Sequence, residues 1–179
     1  MKKAFLFPFF LLTTILFGQE VTILDEQFND NSRQWYTIDN AEFYLNVKDG
    51  GYEIESKGNS AYWTYLEIPN LSQDEEDFTI ETSITQLAGL DNYGYGLIWS
   101  LYADNTSYQS FLVSSNQMTQ LNYKWSNGEN KYMDWTTNST INKMGSANIF
   151  KIEKRANSVR VFLNGAQIYQ GAESSYFGS

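Results

Sequence analysis

Apolar residues recur at every second position along most of this sequence, in short runs separated by Gly, Asn, Asp and Ser. Successive side chains of a β-strand point to opposite faces of its sheet, so this period is typical of antiparallel strands and not of helices. The clearest case is Glu42 to Ser56, where the alternation continues on both sides of Asp49-Gly50-Gly51 and predicts a hairpin. The pattern therefore predicts an all-β protein.

A second hairpin is predicted near the end of the chain. Asn148 to Arg155 and Ser158 to Leu163 alternate in the same way on either side of a predicted turn at Ala156-Asn157, and Asn164-Gly165 then predicts a turn into Ala166 to Gln170. Strand candidates at such regular spacing indicate a two-sheet sandwich or a barrel. The candidates between the two hairpins are Ala61 to Ile68, Asp77 to Leu87, Tyr93 to Leu101, Ser107 to Ser114 and Met118 to Trp125.

The candidate strand Tyr93 to Leu101 differs from the others. It carries bulky side chains on both faces, which predicts a central position in its sheet. Its glycines, Gly94 and Gly96, leave room for another group to approach the backbone closely.

Residues 1–18 have the features of a secretory signal peptide. Lys2 and Lys3 form a basic start, and the apolar run from Ala4 to Phe17 ends near Gly18. A membrane-spanning helix needs about 20 apolar residues, so this run is short for an anchor. We expect cleavage near Gly18, a single mature domain over residues 19–179, no membrane insertion after cleavage, and a secreted, periplasmic or cell-surface location.

Composition excludes several classes of chemistry. The chain has no cysteine and no histidine, which removes disulfides, thiolate chemistry and every nucleophile activated by histidine. Its formal net charge is −9, and loss of Lys2 and Lys3 makes the mature chain more acidic. An acidic surface repels phosphate backbones and anionic lipids, so nucleic acid and membrane surfaces are not expected partners.

Three stretches together resemble the concanavalin A-like lectin/glucanase superfamily: Tyr93 to Trp99, Asn148 to Lys154 and Val159 to Gly165. The resemblance is closest to its laminin-G-like and bacterial 3-keto-disaccharide-hydrolase-type branches, and it extends from Asp25 to Gly178. It implies an antiparallel two-sheet jelly-roll sandwich. Members of the family usually continue past the equivalent of Phe177-Gly178 into closing strands. We therefore expect a sandwich that lacks its last strand or strands, or one whose closing strands are supplied otherwise.

Aromatic residues are the most suggestive candidates for ligand binding, because the chain contains five Trp, thirteen Tyr and twelve Phe. Flat aromatic faces stack on sugar rings, while the Tyr hydroxyl and Trp N–H still donate hydrogen bonds. The alternative is that they fill the core or form cross-strand pairs. The candidate ligand-binding residues are Trp63, Tyr65, Trp99, Tyr123, Trp125 and Trp135.

Acidic residues give weaker candidates. Laminin-G-like relatives hold calcium in rim loops, which makes Asp104 the candidate ligand for Ca²⁺, but Asp and Asn are also ordinary turn residues, and the sequence lacks a dense ligand spacing such as that of an EF-hand loop. No other cofactor is expected. The paired-carboxylate motif of the superfamily's glycosidases, Glu-x-Asp-x-x-Glu, is absent, and its nearest approximation is Glu53-x-Glu55 on an outward strand face.

Three functions remain open on this basis. The first is an exported carbohydrate-binding or adhesion-type module that uses aromatic residues on a concave sheet face or in rim loops. The second is a glycoside-hydrolase-like enzyme of the 3-keto-disaccharide-hydrolase type, against which the absence of histidine and of paired carboxylates counts. The third is an interaction module of a larger secreted protein, whose partner is another extracytoplasmic protein.

Overall fold

The computed structural model describes residues 20–58, 61–68, 77–101 and 106–172. Within these ranges every regular element is a β-strand and every strand pair is antiparallel. This confirms the all-β antiparallel class. The described residues fall into two compact units, 20–68 and 77–172.

The first unit contains a three-stranded sheet, called sheet A, with the order β1-β2-β3, formed by Ile38–Asp39, Phe43–Lys48 and Gly51–Ser56. The β2–β3 hairpin is the one predicted from the sequence. Asp49 and Gly50 at its tip both have positive φ, at 53° and 76°. Two such residues in succession give the turn whose twist matches that of paired strands.

The second unit begins with a four-stranded sheet, called sheet B, whose strand order is β11-β10-β9-β4. Its hairpins confirm the predicted turns: Ala156 has a φ of 48°, and Asn164 and Gly165 have φ values of 49° and 82°. Along Phe78–Ile84, side chains that are buried or half-buried alternate with exposed ones, as expected for one packed face. The strands are β4 (Phe78–Ile84), β9 (Asn148–Arg155), β10 (Ser158–Leu163) and β11 (Ala166–Ala172).

The other sheet of this unit, sheet C, has the order β5-β6-β7-β8. Its strands are β5 (Tyr95–Trp99), β6 (Tyr108–Ser114), β7 (Met118–Trp125) and β8 (Gly128–Thr137). The predicted central position of β5 is wrong, because β5 pairs only with β6 among the described strands. Strand β8 was not predicted. It is largely exposed, and two register shifts against β7 break the two-residue alternation.

Sheets B and C pack face to face around one apolar core. Phe111 of sheet C and Phe150 of sheet B meet edge to face, with ring centroids 4.9 Å apart. Such aromatic pairs contribute about 0.5–1.5 kcal/mol beyond the burial of their surface. The second unit is therefore a two-sheet sandwich, while jelly-roll connectivity of the whole chain stays a prediction. The buried core residues include Phe78, Trp99, Phe111, Val113, Leu121, Phe150, Ile152 and Val161.

The predicted strand Ala61 to Ile68 is wrong in one respect. Exposed and half-buried side chains alternate along it, but it forms no ladder with another described strand. Alternation predicts an extended segment with two faces, and it carries no information about a hydrogen-bonding partner. No helix in the described ranges is long and apolar enough to cross a membrane. The predicted signal peptide lies outside the described residues.

Candidate functional site

The six candidate aromatic residues lie in three places. Two are exposed on the first unit, three lie on the core side of sheet C, and one lies on its outer face. These groups are, in that order, Trp63 with Tyr65; Trp99 with Tyr123 and Trp125; and Trp135.

Trp63 and Tyr65 are exposed neighbours. Their ring centroids are 5.9 Å apart and their planes are tilted by 36°. Thr64 between them hydrogen-bonds the side chain of Tyr52, whose pKa is raised above its ordinary value by burial. Because Tyr52 lies in β3, this bond connects the 61–68 segment to the sheet of the first unit, and it leaves both flanking rings on the exposed side.

Trp99, Tyr123 and Trp125 point toward the sandwich interior. Trp99 pairs across the sheet with Gln109, and Gln109 pairs with Tyr123, so Trp99 and Tyr123 share the core-facing side. Trp125 follows Tyr123 by two positions in β7 and is therefore on the same side. Trp99 and Tyr123 are buried. Tyr123 stacks on Trp125, with ring centroids 5.5 Å apart. Packing occupies the surface of Trp99 and Tyr123, so we do not include them in the candidate site.

Trp135 lies on the outer face of sheet C because of a β-bulge. Thr119 pairs with Thr136 and Leu121 pairs with Met133, so Gln120 faces two residues, Asp134 and Trp135. A bulge of this kind redirects side chains.

The indole of Trp135 lies along the sheet surface. A Cβ atom placed on Gly94 would lie 3.1 Å from Cη2 of Trp135 and 3.8 Å from Cβ of Leu112. The ring therefore occupies space that a larger residue than Gly94 would fill, and it remains 38% exposed. The close approach predicted at this glycine is thus observed, and the approaching group is Trp135.

A chain of hydrogen bonds between polar side chains runs beside this ring. Nδ2 of Asn122 donates to Oε1 of Gln120 at 3.0 Å, and Nε2 of Gln120 donates to Oδ1 of Asp134 at 3.4 Å. Nζ of Lys131 donates to the same Asp134 oxygen at 3.2 Å. Gln120 and Asn122 are buried, whereas Lys131 and Asp134 are exposed. We call these four residues together with Trp135 the Trp135 platform.

Asp134 is held as a carboxylate. The backbone N–H of Trp135 donates to its Oδ1 at 2.8 Å, and this bond, with that from Lys131, keeps the pKa of Asp134 below its ordinary value. Hydrogen bonds to the charged form of an acid favour that form. The platform thus combines an exposed indole, a fixed anionic acceptor and an ammonium donor.

The polar members of the platform are not among the residues predicted from the sequence. For Gln120 and Asn122 the available signal was their alternation with Thr119, Leu121 and Tyr123 along β7, which places them on the face opposite the core.

A polar cleft of about 370 Å³ lies at one end of the second unit, and we call it the rim cleft. Three loops meet there. The backbone N–H of Asn116 in the β6–β7 turn donates to the carbonyl oxygen of Asp91 in the β4–β5 loop at 2.9 Å. Lys143 and Met144 come from the β8–β9 loop, and Ser115 and Gln117 complete the lining.

The candidate calcium ligand Asp104 lies outside the described residues. In the part of the chain that the structure describes, no group of three or more acidic side chains is close enough to hold a metal ion. Glu53 and Glu55 share one face of β3, opposite Asn46 and Tyr44 of β2. They belong to the first unit, whereas the Trp135 platform belongs to the second.

Comparisons of this chain with known protein families, with curated proteins and with solved structures gave no match.

Proposed function

We propose that this protein is an exported carbohydrate-binding module of concanavalin A-like type, and that the Trp135 platform is its binding face. The observation that carries the proposal is the exposed Trp135 ring beside Lys131 and Asp134 on the outer face of a sandwich sheet. The apolar face of a pyranose ring is a suitable partner for an indole surface. The hydroxyl groups of the sugar need both hydrogen-bond donors and acceptors beside the indole.

The aromatic part of the platform rests on a rigid support. Trp135 packs toward Gly94 and Leu112, which belong to the β5 and β6 side of the sheet. Since the ring is already ordered, little conformational entropy is lost when a ligand stacks on it. An aromatic ring on a strand is thereby presented in one orientation.

The polar part of the platform is also ordered before binding. Asp134 is fixed by Gln120, Lys131 and the backbone of Trp135, with donor–acceptor distances between 2.8 and 3.4 Å. Its remaining oxygen can accept from a sugar hydroxyl, and Lys131 can donate to another. A few polar groups fixed beside an aromatic surface are the usual elements of a small-ligand site.

Net charge selects among saccharides. The formal charge of −9 and the Asp134 carboxylate disfavour anionic glycans, so the proposed ligand is a neutral oligosaccharide. A secreted, periplasmic or cell-surface setting is part of this proposal, and the basic and apolar start of the chain supports it.

Replacement of Trp135 by Ala tests the proposal. Isothermal titration calorimetry of the chain with a panel of neutral oligosaccharides should give saturable binding for at least one of them. For that ligand, the Trp135→Ala variant should raise the Kd at least about tenfold, which corresponds to about 1.4 kcal/mol.

The matched control is Ile149→Ala. Ile149 is also exposed on a strand of the second unit, but it lies in β9 on sheet B. It should leave the Kd unchanged. Saccharide binding that survives in folded Trp135→Ala, or no binding by folded wild-type chain to any member of the panel, would contradict the proposal.

A further inference from the structure

The end of the second unit that holds the rim cleft is made of three loops, residues 85–94, 115–117 and 138–147. Hydrogen bonds join them into one surface. The backbone N–H of Asn116 donates to the carbonyl oxygen of Asp91 at 2.9 Å, and that of Gly145 donates to the carbonyl oxygen of Gln86 at 2.9 Å. We call this surface the rim patch.

The rim patch exposes large apolar side chains. Leu87, Leu90 and Tyr93 are 70%, 57% and 55% exposed, and Met144 is exposed at the edge of the cleft. Scattered apolar residues are common on protein surfaces, but several on adjoining loops form a patch of the kind that marks interaction sites. Aromatic residues and Met are also enriched at protein interfaces.

Charged residues are scarce in these loops. They make up 18% of the whole chain, but Asp91 and Lys143 are the two charged residues of the three loops. Depletion of charge is the compositional mark of interface centres. The rim patch is therefore locally neutral in a protein of net charge −9.

Asp91 and Lys143 line the same cleft without forming a pair. Within the described ranges, neither side chain has an ion-pair or hydrogen-bond partner. Other lysines do pair, as Lys131 does with Asp134 at 3.2 Å and Lys151 with Glu153 at 2.7 Å. The patch thus offers one unpaired carboxylate and one unpaired ammonium group.

We propose that the rim patch is the interface of a two-fold symmetric homodimer, in which Asp91 of each copy pairs with Lys143 of the other. A two-fold interface brings the same surface of both copies together, so residue i meets residue j and j meets i. Because the rim patch carries one unpaired carboxylate and one unpaired ammonium group, two copies related by a two-fold axis can form two identical Asp91–Lys143 ion pairs. Repulsion between two acidic chains is smallest where the surface is neutral, and the exposed apolar residues supply burial. This inference goes beyond the proposed saccharide binding and is independent of it.

Charge reversal tests the proposal. Sedimentation velocity of the wild-type chain at a series of concentrations should show a species of twice the chain mass. Asp91→Lys alone places like charges opposite each other, as does Lys143→Asp alone, and each should raise the dimer Kd at least tenfold. In Asp91→Lys both charges of the rim patch are positive, and in Lys143→Asp both are negative. An equimolar mixture of the two variants should therefore form a heterodimer in which each charge meets one of opposite sign.

Two controls change net charge equally outside the patch: Glu42→Lys on the first unit and Lys124→Asp on β7. Both should dimerise as the wild type does. Leu90→Ser, which leaves the charge unchanged, should weaken the dimer. A wild-type chain that stays monomeric at all concentrations would overturn the proposal. This holds also if the monomer binds a different protein through the rim patch. So would a mixture of the two charge variants that stays monomeric.

Discussion

Asn148 shows how one polar residue stabilises the sandwich. It is fully buried in β9, and its Nδ2 donates to the hydroxyl of Tyr95 in the opposite sheet at 2.9 Å. Nδ2 also donates to the carbonyl oxygen of Asn142, and Oδ1 accepts from Asn142 N and from Nδ2 of Asn164. All hydrogen-bonding groups of the Asn148 side chain therefore have partners, and these bonds connect the two sheets and two turns.

We predict that Asn148→Leu lowers the free energy of unfolding by roughly 1–3 kcal/mol, because buried partners lose their hydrogen bonds. Urea denaturation followed by circular dichroism measures this loss. Asn130→Ala, an exposed residue of β8, is the matched control and should change the free energy by less than about 0.5 kcal/mol. Equal stability of the two variants would refute the role assigned to Asn148.

Glu153 predicts a pH dependence of stability. Its carboxylate lies 2.7 Å from Nζ of Lys151 and 2.7 Å from Nη2 of Arg160. The hydrogen bond from Lys151, followed by the charges of Lys151, Arg160 and Arg155, lowers its pKa below the ordinary value of 4.5. A lowered folded-state pKa contributes stability above the unfolded value and loses it as pH falls through the folded value.

Glu153→Gln should therefore destabilise the chain at pH 7, and the difference from wild type should shrink as pH falls below about 4.5. Urea denaturation at pH 7 and at several acidic values measures both curves. If the free energies of unfolding of the two proteins differ by the same amount at every pH, ionised Glu153 does not contribute a pH-dependent part of the stability.

At the scale of elements, the sequence predicted the hairpins and missed two strands, the two-residue β1 and the longer β8. The hairpin predictions succeeded because alternation and turn residues are local properties. Strand β8 was missed because its two register shifts against β7 interrupt the alternation. The Asn127-Gly128 pair at the β7–β8 turn was the available signal, since Asn-Gly favours tight hairpins.

Strand position within a sheet was harder to predict. Bulk on both faces of β5 predicted a central strand, but part of that bulk faces the core while Gly94 and Gly96 face outward. The outward glycines admit Trp135 at Gly94 and the backbone of Phe111 at Gly96. Close approach was predictable from the glycines, whereas the identity of the approaching groups was not.

Gly94 gives a prediction at this scale. Gly94→Val should push the Trp135 ring off the sheet and raise the saccharide Kd by about three- to tenfold, up to about 1.4 kcal/mol. Calorimetric titration measures the change. Gly58→Val, where a Cβ meets nothing within 4 Å, is the control that should bind as wild type. Unaltered binding by Gly94→Val would show that saccharide binding does not depend on the position of the Trp135 ring.

At the scale of the whole molecule, the all-β class followed from the sequence but the grouping of loops did not. The rim cleft joins residues around positions 91, 116 and 143, which lie far apart in the chain. No local pattern relates such positions. The Trp135 platform was half predictable: Trp135 was a candidate by residue type, while Gln120, Asn122, Lys131 and Asp134 become neighbours only through the pairing of β7 with β8.

The binding face is tested most directly with the indole N–H signals of the five tryptophans in a ¹H–¹⁵N correlation spectrum, each assigned by a Trp→Phe variant. The spectrum is followed while a neutral oligosaccharide that binds in calorimetry is added. The signal of Trp135 should shift in a saturable way, and that of buried Trp99 should not. Saturable binding that moves the Trp63 signal and leaves Trp135 in place would contradict the proposed binding face, because the site would then lie on the first unit.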